Sequence, residues 1–142
     1  MKKDTLTWEL LAEFAGTCIL ILFGVGVVAQ VVTGNGTQGD HDSIAWAWGL
    51  GVTLGVYVSA RISGAHLNPA VTVALATFQG FSWKKVLPYS LAQTAGAFVA
   101  AIIVRFTYAD LINALDPGHT FKTQGIFSTL PGTHVTLSLI HI

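Results

Sequence analysis

The residues best placed to act on a passing molecule lie in one run, Ser63-Gly64-Ala65-His66-Leu67-Asn68-Pro69-Ala70-Val71-Thr72, followed by apolar residues to Gln79 and then Gly80. Their chemistry is hydrogen bonding, not bond making. No nucleophile, metal cluster or acid and base pair converges around them, which argues against an enzyme. His66 has no second His or Cys at helical spacing, so a metal site is not expected and its role reads as bracing the loop. Asn68 suits a helix N-cap, Pro69 the first helical position and Gly80 a stop. The implied helix, Pro69 to Gln79, is about 16 Å long, roughly half the hydrocarbon thickness of a bilayer. If the Asn68 side-chain oxygen caps the N–H of Ala70 or Val71, its amide hydrogens stay free to donate to a hydroxyl or a water.

The elements that must position this run are membrane spans. Of the 142 residues 52% are hydrophobic and only 10% charged, more apolar surface than a soluble domain of this size can bury. Apolar stretches cover residues 10–32, 44–62 and 86–108, and the first, at about 34 Å, spans a bilayer core with some tilt. Turn-rich segments, 33–43 and 109–136, read as aqueous loops. Seven cations balance seven anions, so there is no electrostatic footprint for nucleic acid. Lys2, Lys3, Arg61, Lys84 and Lys85 flank one side of the spans and Arg105 and Lys122 the other, which predicts a cytoplasmic N-terminus. A 23-residue apolar core is too long for an ordinary signal-peptide core.

A half-length apolar helix with Arg61 before it and Lys84-Lys85 after it cannot cross the membrane, so residues 63–79 are expected to be re-entrant. Their irregular backbone is tolerated at depth only where protein or water satisfies its polar groups. The helix dipole would add partial positive charge near the midplane and oppose cations. The pairs Ala12 with Gly16, Gly51 with Gly55 and Ala92 with Gly96 have the spacing that lets helices approach closely in lipid. The single cysteine, Cys18, reads as a small core or interface residue.

The motif around Asn68, with Ala12-Glu13-Phe14, Gly24-Val25-Gly26, Trp48-Gly49-Leu50-Gly51-Val52 and Gln93-Thr94-Ala95-Gly96-Ala97, resembles the major intrinsic proteins, and more closely their glycerol facilitator branch. The resemblance runs to about Leu137. It implies an all-α integral membrane fold: three transmembrane helices plus one re-entrant half-helix, half of an aquaporin-like inverted-repeat bundle. It also implies that Asn68, Pro69 and Ala70 form the first of two pore motifs, with carbonyls of Gly64, Ala65, His66 and Leu67 as a ladder for solute hydroxyls. Trp48 would form one wall of the outer constriction, and Val52, one turn inward, an apolar track for the solute's carbons. Glu13 would accept hydrogen bonds from the loop backbone. By residue type alone Trp48 also fits an interfacial belt, and Glu13, fourth in its apolar run, also fits contact with cytoplasmic water.

The resemblance further implies a multi-pass protein of the plasma or inner membrane and a homotetramer when complete. Its ligands would be small neutral solutes such as glycerol and water, with no cofactor. The second pore motif and the arginine that follows it are absent, and residues 138–142 match nothing at the corresponding place. Residues 1–137 are therefore expected to be the N-terminal repeat of a longer channel. The competing readings are a water-selective channel and a non-conducting membrane adaptor.

Overall fold

The long helices begin where polar residues can cap or solvate a first turn, a few residues before the apolar runs begin. The computed structural model describes residues 5–130; Lys2, Lys3, the Pro131-Gly132 turn and the 138–142 tail lie outside them. Helix α1 runs Leu6–Thr33 and α2 His41–Ser63. The short α3 runs Pro69–Phe78 and α4 Trp83–Thr107. At α2 the start is set by a reciprocal cap: Asp40 Oδ1 accepts from the Ser43 amide at 3.0 Å, and Ser43 Oγ accepts from the Asp40 amide at 3.3 Å. At α4 the first turn takes in Lys84 and Lys85. All three long helices are apolar and long enough to cross a membrane, and α3 is not.

Helix α1 lies between α2 and α4, and α3 packs against α4. Small residues set the spacing. A side chain at Gly55 would begin 2.7 Å from the Gly16 carbonyl oxygen, and one at Gly96 would run into the backbone of Phe14 and Cys18. Of the expected pairs, Gly51 with Gly55 and Ala12 with Gly16 are buried. On α4 the buried partner of Gly96 is Ala100, while Ala92 is only half-buried. The buried face of α4 therefore reads Tyr89, Gln93, Gly96, Ala100, Val104, a three-four spacing that turns one stripe toward α1 and α3.

The second loop, expected as a turn-rich aqueous segment, is partly helical. It carries α5, Ala109–Leu115, and the single turn α6, Phe121–Gln124. Ile112 and Ile126 join Val25, Ala29 and Val104 in one buried cluster, so the loop closes over one end of the bundle. Asp116, between the two short helices, accepts from the Thr120 amide at 2.7 Å and from Thr123 Oγ1 at 2.9 Å. Desolvation opposes its ionisation, but the bonds from Thr123 and Thr120 outweigh it and hold the carboxyl below the usual carboxylate range. A depressed folded-state value contributes stability that is present above the unfolded carboxylate value of about 3.9 and lost as pH falls through the folded value. Protection of the Thr120 amide, relative to its intrinsic exchange rate at each pH, is thus expected to hold from pH 7 to about 5 and to be lost only in stronger acid, whereas Asp116→Asn should lower it already at pH 7. Equal exchange in the two proteins at pH 7 would remove Asp116 as the organiser of this loop.

Candidate functional site

The site is built on the step from α2 to α3. Gly64 caps α2 in the left-handed region at φ 92, and Ala65 and Leu67 follow at φ 54 and 55. Non-glycine residues there carry about 1–3 kcal/mol of strain each, so the surroundings must hold this backbone in place. Glu13 does most of that. Its Oε1 accepts from Ser63 Oγ at 2.6 Å and the His66 amide at 2.9 Å. Its Oε2 accepts from the Leu67 amide at 2.7 Å and Gln93 Nε2 at 2.7 Å. Ser63 Oγ in turn accepts from the Ala65 amide at 3.2 Å. The sequence left Glu13 between loop and water. Helix α1 starts four residues before the apolar run, which carries Glu13 a turn deeper, and it has no exposed surface.

These bonds fix where the carbonyls go. The peptide bonds are trans, so each carbonyl points opposite to the N–H of the next residue. With the amides of Ala65, His66 and Leu67 drawn toward Ser63 Oγ and Glu13, the carbonyls of Gly64, Ala65 and His66 are turned away from them. Among the described residues no protein donor reaches these three oxygens. Leu67 differs: its carbonyl takes a long bond of 3.4 Å from Thr17 Oγ1, which leaves it one lone pair. The Leu67 side chain is buried over the Gly16 and Gly55 contact.

Asn68 ends the series. Its Oδ1 accepts from the Ala70 amide at 2.7 Å, which selects Ala70 from the two amides the sequence allowed. The side chain is exposed, and its two N–H groups have no protein acceptor among the described residues. Pro69 takes the first helical position, and Gly80, at φ 74, turns the chain back after α3. The start of α3 lies at mid-length of its neighbours. Thr17 is near the middle of α1, and Gln93, which donates to Thr72 Oγ1 at 3.0 Å, is near the middle of α4.

Thr72 links the His66 ring to the start of α3. Thr72 Oγ1 has one proton, which it donates to the Asn68 carbonyl at 3.0 Å. It lies 3.1 Å from His66 Nδ1, and with its proton on that carbonyl Thr72 accepts from the Nδ1–H tautomer of the ring. The imidazole is also enclosed by Phe81 and Tyr89, with ring centroids 4.5 and 5.0 Å away. Gln93 Oε1 is the one buried side-chain oxygen without a partner among the described residues; turning the amide over would set that oxygen against the Glu13 carboxylate.

Toward the other end, Trp48 is half-buried with its ring against Gly24, where any side chain would start 2.5 Å from the indole. The ring borders a cavity of about 830 Å³, whose walls include Val25, Phe98 and residues 125–130 of the second loop. Val52, one turn along α2, is 42% exposed. No group of three or more metal-ligating side chains exists among the described residues.

The family model described as Major intrinsic protein matches residues 1–138. The chain belongs to the major intrinsic protein family. It is 48% identical over 132 residues to the probable aquaglyceroporin-2 of Gibberella zeae, covering 88% of this chain and 39% of that protein. It is 42% identical over 142 residues to the glycerol uptake facilitator protein of Escherichia coli K12, covering 94% of this chain and 50% of that one. The X-ray structure of the aquaglyceroporin from Plasmodium falciparum superposes with a TM-score of 0.73 at 36% identity, over 83% of this chain and 48% of that chain. The chain thus spans half or less of the length of these relatives, and its three spans and half-helix are half of an aquaporin-like fold.

As a major intrinsic protein the chain carries more of its loop support outside the motif than the sequence disclosed. Thr17, Phe81 and Tyr89 were not singled out there, and Thr72 stood in the motif without a role. Polar side chains inside apolar spans were the available signal, since each needs a partner in lipid. Tyr89 and Gln93, one turn apart on α4, could have been found that way.

Proposed function

We propose that this chain is the first repeat of a membrane channel that passes glycerol, other small uncharged solutes and water without catalysis. The observation that carries the reading is the one-sided loop: Glu13 and Ser63 draw three successive amides inward, so three carbonyls and the free Asn68 amide face away from the protein scaffold. Acceptors in line with a donor suit a polyol, which offers both, and the positive end of α3 disfavours cations. Trp48 and Val52 would supply the apolar side of the lumen. In this reading Gly64, Ala65, His66 and Leu67 line the path and Glu13 and His66 brace it. Residues 1–137 form one repeat, and a second of opposite topology completes the pore.

The cations support a cytoplasmic N-terminus, since Arg61 closes α2 and Lys84 and Lys85 open α4 at the end opposite Arg105. A homotetramer in the plasma or inner membrane is the assembly this reading adopts from the family resemblance. The test is osmotic swelling of liposomes that contain the full-length protein. Swelling driven by glycerol, and none by a monovalent cation salt, is the expected result. Glycerol entry no faster than in protein-free liposomes would overturn the proposal in favour of a non-conducting membrane adaptor. Water flow without glycerol entry would assign a water-selective channel.

A further inference from the structure

The network that reaches the loop has a second arm. Lys85 Nζ lies 2.8 and 2.7 Å from the two carboxylate oxygens of Glu9. The Tyr89 hydroxyl lies 2.9 Å from Glu9 Oε2 and 3.1 Å from the carbonyl oxygen of Ser63. Tyr89 is 1% exposed, so water does not compete at its hydroxyl, whereas Lys85 is 37% exposed along its side chain. Ser63 is the last residue of α2, and its carbonyl is one of those a helix end leaves without an intrahelical partner. It is also the residue whose side chain joins Glu13 to the Ala65 amide.

A phenol has one proton, and here two acceptors stand within reach of it. An unpaired carboxylate would win, because a charge-assisted bond is roughly twice as strong as a neutral one. A carboxylate already holding an ammonium on both oxygens needs the proton less. We propose that Tyr89 is a positioning residue for the re-entrant segment, and that Lys85, by satisfying Glu9, assigns the Tyr89 hydroxyl proton to the Ser63 carbonyl. The start of the carbonyl series is then tied from the α4 side, as Glu13 ties its middle from the α1 side. The consequence for transport rests on the channel reading above; the proton assignment itself does not.

The inference makes the two members of the ion pair unequal, which an ordinary structural salt bridge does not. Lys85→Met leaves Glu9 to capture the proton and frees the Ser63 carbonyl. Glu9→Gln does the reverse, since a glutamine amide can donate to the Tyr89 oxygen and release its hydrogen to Ser63. Tyr89→Phe keeps the ring against His66 and Phe81 and removes only the hydroxyl.

The experiment is amide exchange over residues 64–67, followed by mass spectrometry on the full-length protein, together with glycerol swelling of liposomes. Lys85→Met and Tyr89→Phe are expected to quicken exchange by about fivefold and slow swelling, the scale of one net hydrogen bond. Glu9→Gln and Lys85→Arg should stay within about twofold of the parent, and adding Glu9→Gln to Lys85→Met should restore it. Equal losses for Glu9→Gln and Lys85→Met, or no rescue in the double variant, would overturn the inference. A parent protein that passes no glycerol would overturn the channel reading alone, and the exchange pattern would still decide the proton assignment.

Discussion

Glu13→Gln is expected to lower glycerol flux by at least about tenfold and to destabilise the protein by about 2–5 kcal/mol, because one buried carboxylate serves four donors. Two are backbone amides of the loop, one is the Ser63 hydroxyl and one the Gln93 amide. A glutamine keeps one accepting oxygen and sets an NH₂ against the other two donors. The loop then has donors facing donors beside two residues at positive φ, and only the bonds through Ser63 Oγ and Thr17 Oγ1 still brace those two residues directly. Thermal unfolding in detergent reads the stability and liposome swelling the flux. A Glu13→Gln protein with the parent's melting temperature and flux would mean that the loop holds its shape without the carboxylate.

Asn68→Asp should separate flux from stability. An aspartate is as good an N-cap as asparagine, and its charge suits the positive end of α3, so the Ala70 contact at 2.7 Å should survive and unfolding should be unchanged. Both N–H donors are lost and a full negative charge takes their place. Neutral-solute flux should fall by about tenfold or more, the equivalent of about 1.4 kcal/mol at the barrier, while cation leak rises. Stopped-flow light scattering with glycerol measures the first and a potassium-gradient assay the second. Unchanged glycerol flux in a stably folded Asn68→Asp protein would take Asn68 out of the solute path.

How far the sequence disclosed this architecture depended on whether the signal was local. The half-helix was legible because its start and stop are written in adjacent residues: Asn68 caps, Pro69 opens, and Gly80 turns back at positive φ. The long spans were legible as apolar runs, but their beginnings were not, since Asp40 and Ser43 start α2 through a cap that hydropathy does not register. The same gap left Glu13 open between the loop backbone and cytoplasmic water. The second loop reads as a turn-rich aqueous segment, yet Ile112 and Ile126 bury against α1 and α4, and such long-range apolar contacts leave no periodic trace in a seven-residue helix. On α4 the spacing rule found Gly96 and chose Ala92 as its partner. The face is set by where α1 lies, and that selected Ala100. The arm through Tyr89 joins residues 80 positions apart in the chain, and nothing in local sequence relates Glu9 to Tyr89.

The seat of Leu67 couples two dimensions that an engineer would prefer to adjust separately. Its methyl groups sit over the point where the Gly16 and Gly55 backbones touch, and the next residue is Asn68. The crossing distance of the first two spans therefore meters how far the asparagine projects. Bulk introduced at either glycine would not simply part the two helices; it would also carry Asn68 out of line, so spacing and alignment can be tuned only together.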